Sequence, residues 1–333
     1  MFDIMDFIFY LLDCTWFLLL LIAVGFVLLV KGADWLVDGA ASLAKKYNVS
    51  DLVIGLTIVA FGTSMPEFVV NMASIANHST DLAITNILGS NIINTFVILG
   101  ITALVYPITS QKRSRDFDIP LSIMAGILVF AGIVIQLPNE ETRSLGRLSG
   151  IVMLSLFIYF IFNTFRHAKD NPNDAVSEGF KEMKGWKAIL FVLIGFLCLV
   201  IGGEMIVKSA VKVAIKWGVS DAIIGLTIVA LGTSLPELAT SVIAAIKKNS
   251  DIALGNVIGS NIFNVFFILG TSATIRPLPA YKGVEIDAFM VTIGSMLVWL
   301  FVKTNKQRQL KRWGGAILLI LYIAYLTYRL LNC

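Results

Sequence analysis

Charge is what this sequence has least of. Asp, Glu, Lys and Arg make up 14% of its 333 residues, where a soluble domain carries about 25%. That scarcity excludes an ordinary water-soluble enzyme and a disordered chain alike. Cysteine is sparse too. Cys14, Cys198 and Cys333 are scattered with no C-x-x-C pair, which argues against a disulfide framework or a zinc site. The residues before Cys14 include Asp3, Asp6 and Asp13 but no Lys or Arg, so the basic start of a signal peptide is missing there. The net charge of +4 is spread over predicted loops and implies no nucleic-acid partner.

What fills the space is apolar. Apolar residues reach 57% and the mean hydropathy is +0.84, so lipid is the solvent for most of the chain. A bilayer core of about 30 Å needs about 20 apolar residues per helix. Such segments lie near 15–44, 51–77, 81–107, 117–137, 147–165, 186–217, 221–247, 251–276, 285–303 and 312–330. Lys45, Lys46, Lys112, Arg113, Arg115, Lys247, Lys248 and the Arg166–Lys187 and Lys303–Arg312 stretches then share one side of the membrane. That excess marks the inside and puts both termini outside, in a multi-pass protein of the cell membrane.

The chain repeats itself. D-L-V-I-G-L-T-I-V-A-F-G-T-S-M-P-E from Asp51 returns as D-A-I-I-G-L-T-I-V-A-L-G-T-S-L-P-E from Asp221, an offset of 170 residues. At the same offset I-L-G-S-N-I-I-N from Ile87 returns as V-I-G-S-N-I-F-N from Val257. Shared leucines follow from composition, whereas a shared G-T-S-x-P-E does not. The fold expected is an all-α membrane protein of ten transmembrane helices in two inverted five-helix repeats. The halves are 1–165 and 186–333, joined by a cytoplasmic linker at 166–185, and the repeated segments are 51–107 and 221–277. Five is odd, so the second half enters the membrane from the opposite side. Equivalent residues then meet near the midplane, where transporters built this way bind their substrates.

Glu67 and Glu237 are one such pair. An ionised carboxylate at the bilayer centre costs ~2.5–3.5 kcal/mol on insertion scales, and neither G-T-S-x-P-E segment holds a Lys, Arg or His. A bound cation is the natural counter-charge; a pair of protonated, hydrogen-bonded glutamates is the competing reading. On a regular helix Thr63 and Ser64 share a face with Glu67. Pro66 and Pro236 lack an N–H, which frees the carbonyls of Gly62 and Gly232 and kinks the turn. Ser90 and Asn94 sit four apart in the next predicted helix, as do Ser260 and Asn264. The set is carboxylate, amide, hydroxyl and carbonyl oxygen, which suits calcium and, by the same logic, sodium. With no thiolate or imidazole present, it argues against zinc, copper or iron.

These paired motifs resemble the sodium/calcium exchanger branch of the cation/calcium exchanger superfamily, and the short linker resembles its prokaryotic members. The resemblance implies Glu67 and Glu237 as central ligands, with Thr63, Ser64, Thr233 and Ser234 around them. Ala60 and Ala230 offer carbonyls, and Ser90, Asn94, Ser260 and Asn264 complete the sites. It also implies a sodium-for-calcium antiporter with a return of three sodium ions; the inverted pair of sites suits alternating access, and a monomer with no cofactor is expected. Asn94 and Asn264 stand where some relatives, including potassium-dependent ones, carry aspartate, which argues against potassium coupling.

The competing functions are a proton/calcium antiporter, a channel, and an intramembrane hydrolase using Ser64 or Ser234. The hydrolase needs a general base within reach, and the motif supplies no His or Lys. Plainer roles suit other residues. Asp51, Asp81, Asp221 and Asp251 read as helix-start capping. Asp34 and Glu204 read as vestibule or interface acids, and His78 as a solvated loop residue.

Overall fold

Long apolar runs with only eight prolines in the chain become long helices. The computed structural model describes residues 15–77, 79–135, 143–170, 183–218 and 230–332. His78, the middle of the linker and the stretch from Asp221 to Val229, with its capping aspartate, lie outside them. The helices are α1 (Thr15–Tyr47), α2 (Asp51–Thr63), α3 (Met65–Ala76), α4 (Thr80–Val105), α5 (Ser114–Val134) and α6 (Arg147–Asp170). They continue with α7 (Gly185–Lys216), α8 (Ala230–Thr233), α9 (Leu235–Ile246), α10 (Ser250–Ile275), α11 (Val284–Thr304) and α12 (Arg312–Asn332). Among the described residues, eight are long and apolar enough to cross a membrane, and α2 with α3 makes a ninth span bent by 44°. Exposed Trp16, Trp186, Trp217 and Trp313 sit at helix ends, as an aromatic belt requires.

Burial sorts these helices. Of the apolar stretch of α10, 94% is buried, and of α4, 83%; in α12 the figure is 17%. Those two helices of the repeated segments, α4 and α10, therefore form the centre, and α12 is left to face lipid. Phe96, Leu88, Ile258 and Phe266 of α4 and α10 are fully enclosed in one core shared by both halves.

Small residues set how the halves meet. A Cβ at Gly25 would lie 2.8 Å from the carbonyl oxygen of Gly202, one at Gly32 2.8 Å from that of Gly195, and one at Gly39 2.8 Å from that of Ala188. Ascending numbers on α1 meet descending numbers on α7, so the two helices run antiparallel in backbone contact. Gly126 packs on Thr292, and Ser122 and Ser295 lie 3.1 Å apart, which makes α5 and α11 antiparallel too. Two short ribbons complete the pattern. β1 (Ile108–Thr109), which follows α4, pairs with β4 (Gln309–Leu310), while β3 (Leu278–Pro279), which follows α10, pairs with β2 (Ser144–Leu145).

The acids at the helix starts and on the long helices have side-chain partners. Ser50 caps α2, accepting from the Val53 amide at 3.3 Å, and Asn249 caps α10, accepting from Ile252 at 3.0 Å. The neighbouring aspartates have other partners. Asp51 accepts from the Asn249 amide at 2.8 Å, and Asp251 from Gln111 at 2.6 Å. Asp34 pairs with Lys247 at 2.7 Å beside Asp38, and Glu204 with Lys208 one turn on at 2.6 Å.

Candidate ion-binding site

Ser64 interrupts the second span. Its φ of −85° and ψ of 4° leave the helical region, and Ser234 does the same at −89° and 5°. Pro66 and Pro236 then occupy the first turns of α3 and α9, where a missing N–H costs nothing because that group has no helical partner anyway. Glu67 and Glu237 fall in the same first turns, so the positive ends of two helix dipoles face the two carboxylates.

The break redirects the serines. A continuous helix was expected to hold Ser64 on the face of Glu67; instead Ser64 turns to the other half and donates to Glu237 Oε1 at 3.0 Å. Ser234 returns the exchange, donating to Glu67 Oε1 at 3.4 Å. Ser90 and Ser260 add bonds within their own halves, to Glu67 Oε1 at 3.4 Å and Glu237 Oε1 at 3.5 Å. Each glutamate thus has one oxygen held by two hydroxyls, and a second, Oε2, with no hydrogen-bond partner. Both side chains are fully buried, and neither forms an ion pair among the described residues.

The remaining expected residues gather round them. Thr63 is buried and reaches Asn256 of the other half at 3.0 Å, while Thr233 sits half-buried before Ser234 with its hydroxyl unpartnered. Asn94 and Asn264 are fully buried. They lie in π-helical stretches, Ile93–Ile98 and Phe263–Leu269, and such local widenings are frequent at functional sites. Asn264 gives its amide hydrogen to Asn91 at 3.0 Å and keeps Oδ1 unpartnered; Asn94 has both polar atoms unpartnered. Ala60 already accepts from the Ser64 amide at 3.1 Å, and the Thr63 hydroxyl, whose proton goes to Asn256, lies 3.4 Å from the same carbonyl. Ala230 opens α8.

Sequence reasoning passed over the second layer. Asn91 donates to the carbonyl of Asn261 at 3.1 Å, Asn261 to Thr95 at 2.8 Å, and Asn256 reaches both Glu237 and Ser241. Asn91 and Asn261 belong to the G-S-N motif itself, and a buried amide in an apolar helix was the available signal.

What the arrangement offers is two carboxylates with unpartnered oxygens, amide oxygens and hydroxyls, all away from water. Buried polar atoms are normally hydrogen-bonded, so Oε2 of both glutamates and Oδ1 of both asparagines call for a partner that binds oxygen. A hard cation is one partner of that kind.

The family model for the sodium/calcium exchanger protein matches residues 17–166 and 187–331. The chain belongs to the sodium/calcium exchanger family. It is 35% identical over 349 residues to the sodium/calcium exchanger MaX1 of Methanosarcina acetivorans, covering 92% of this chain and 97% of that protein. It is 37% identical over 265 residues to the inner membrane protein YrbG of Escherichia coli, covering 77% and 79%. Among solved structures it is similar to the sodium-calcium exchanger NCX_Mj soaked with sodium and strontium. That match has a TM-score of 0.80 and 31% identity, and it covers 94% of this chain and 99% of the other. As a family member the chain is a multi-pass membrane antiporter, and the hydrolase and channel readings fall away.

Proposed function

We propose that this exchanger-family chain carries calcium one way and sodium the other through a single pocket centred on Glu67 and Glu237. The observation that carries the reading is the pair of buried carboxylates, each with an unpartnered Oε2, cross-linked by serines from opposite halves. Thr63, Ser64, Ser90, Asn94 and their counterparts Thr233, Ser234, Ser260 and Asn264 complete the oxygen set, with the carbonyls of Ala60 and Ala230. The ten helices form two inverted five-helix repeats, divided as 1–165 and 186–333; the antiparallel contacts of α1 with α7 and of α5 with α11 support that arrangement. It suits alternating access, in which one repeat moves against the other around a fixed site. The protein works as a monomer in the cell membrane with both termini outside.

Charge decides the cycle. One calcium neutralises the two carboxylates, and Asn94 and Asn264 add no further charge. Three sodium ions on the return leave one positive charge in excess, whereas two make the cycle neutral. With three, moving that charge is worth ~2.3 kcal/mol per 100 mV. In vesicles loaded with sodium and clamped in pH, calcium entry is expected to quicken when the interior is made positive, since three charges leave as two enter. It is expected to slow when the potential is reversed. Entry indifferent to potential at a fixed sodium gradient points to a two-for-one cycle. Entry driven by a proton gradient without sodium replaces this reading with proton/calcium antiport.

A further inference from the structure

The two halves are alike in sequence but not in their hydrogen bonds, and one of the differences lies at an equivalent amide in each. Asn256 is fully buried and fully used. Its oxygen accepts from Thr63 of the other half at 3.0 Å. Its nitrogen donates to the main-chain carbonyl of Glu237 at 3.2 Å and to the Ser241 hydroxyl at 2.9 Å. A hydroxyl has one proton and two lone pairs, so a Thr63 that gives its proton to Asn256 keeps lone pairs for a cation. The same amide fixes the turn that carries Glu237.

Asn86 is its counterpart at the 170-residue offset, with Thr233, Glu67 and Asn71 where Asn256 has Thr63, Glu237 and Ser241. None of the three equivalent bonds is formed. The Asn86 amide nitrogen and the Thr233 hydroxyl are buried without partners among the described residues, and Asn71 donates to Ser272 at 3.1 Å instead. In the topology proposed above, Thr63 and Asn256 precede Glu67 and Ser260 on spans that run outward, so they lie on the cytosolic side of the carboxylates. Thr233 and Asn86 lie on the outer side by the same reasoning. The cytosolic latch is made and the outer one is not.

Halves of one kind that meet about a pseudo-two-fold axis change the side they open to by exchanging conformations. We propose that Asn256 and Asn86 are positioning residues that close the pocket alternately: Asn256 seals the cytosolic side here, and Asn86 makes the matching bonds to Thr233 and the Glu67 carbonyl in the opposite-facing state. This rests on the exchange reading. Neither amide is an ion ligand; each acts through a threonine and a glutamate backbone.

The test is calcium half-saturation measured separately from each face, in vesicles of defined orientation, for Asn86→Ala and Asn256→Ala. Apparent affinity falls with the fraction of protein in the binding-competent state, and one net hydrogen bond corresponds to about fivefold. Asn86→Ala, which weakens only the inward-open state, is expected to move the ratio of outer to cytosolic affinity at least ~5-fold toward the outer face. Asn256→Ala is expected to move it the other way, and the double variant back toward the starting ratio. A purely structural role weakens both faces alike in Asn256→Ala. It also predicts no effect for Asn86→Ala, whose amide nitrogen makes no bond here to lose, so that variant decides the matter even if Asn256→Ala fails to insert. An unchanged ratio in Asn86→Ala, or shifts of the same sign in both variants, overturns the proposal while leaving sodium-driven calcium uptake intact. Loss of that uptake in the unmodified protein instead removes the exchange reading and this proposal with it.

Discussion

Replacing Glu67 with glutamine, or Glu237 with glutamine, is expected to abolish calcium transport while leaving the protein inserted and monodisperse. Each substitution keeps the shape of a side chain that is fully buried and removes half the negative charge facing a divalent ion. No Lys, Arg or third carboxylate stands ready to compensate, since neither glutamate has an ionic partner among the described residues. Bonds to a charged group contribute about 1.5–3 kcal/mol each, and about 2.8 kcal/mol already corresponds to ~100-fold in affinity. The loss of even one such bond therefore weakens calcium half-saturation by about 10- to 150-fold. The two variants should behave alike, because Ser64 and Ser234 hold the two carboxylates in matching ways. Sodium-gradient-driven calcium uptake in vesicles checks it, with elution volume as the control for folding. Near-normal uptake in either variant refutes the site.

The second large effect is topological. Cysteines at Asn77 and Lys248, both exposed at the ends of the equivalent helices α3 and α9, are expected to react with an impermeant thiol reagent from opposite sides. The background for this lacks Cys14, Cys198 and Cys333. Asn77 should label from outside and Lys248 from the cytosol. Asn249 is the poorer probe, because it is buried as the cap of α10. The contrast is all-or-none, since each residue lies wholly on one side. Labelling from a single side makes the repeats parallel and removes the reason for Glu67 and Glu237 to share a depth.

Much of this was legible in the sequence, for reasons that can be traced to residues. The span positions follow from hydropathy, and observed ends such as Val284 and Thr304 of α11 fall one residue from those read off the sequence. The repeated G-T-S-x-P-E motif brought the two glutamates together through parity alone. Pro66 and Pro236 announced irregular backbone. They did not announce that the break falls at Ser64 and Ser234, because a proline marks which N–H is missing and not where the chain rotates. The break at the serines sends each of them to the opposite glutamate. The π-helical turns at Asn94 and Asn264 have no sequence signature of their own. Nor were the glycines of α1 read as a contact, since Gly25, Gly32 and Gly39 gain their meaning only from the carbonyls of α7 against them. Asn256 escaped because an isolated asparagine in an apolar helix names no partner until the other half of the molecule is in place.

The central claim is that one pocket takes both ions through Glu67 and Glu237. Its most direct test is calorimetric titration of the purified protein with calcium at a series of sodium concentrations and fixed ionic strength. The account predicts saturable calcium binding that weakens steadily as sodium rises and that is lost in Glu67→Gln and in Glu237→Gln. Calcium binding that is indifferent to sodium, or that survives in both variants, contradicts it.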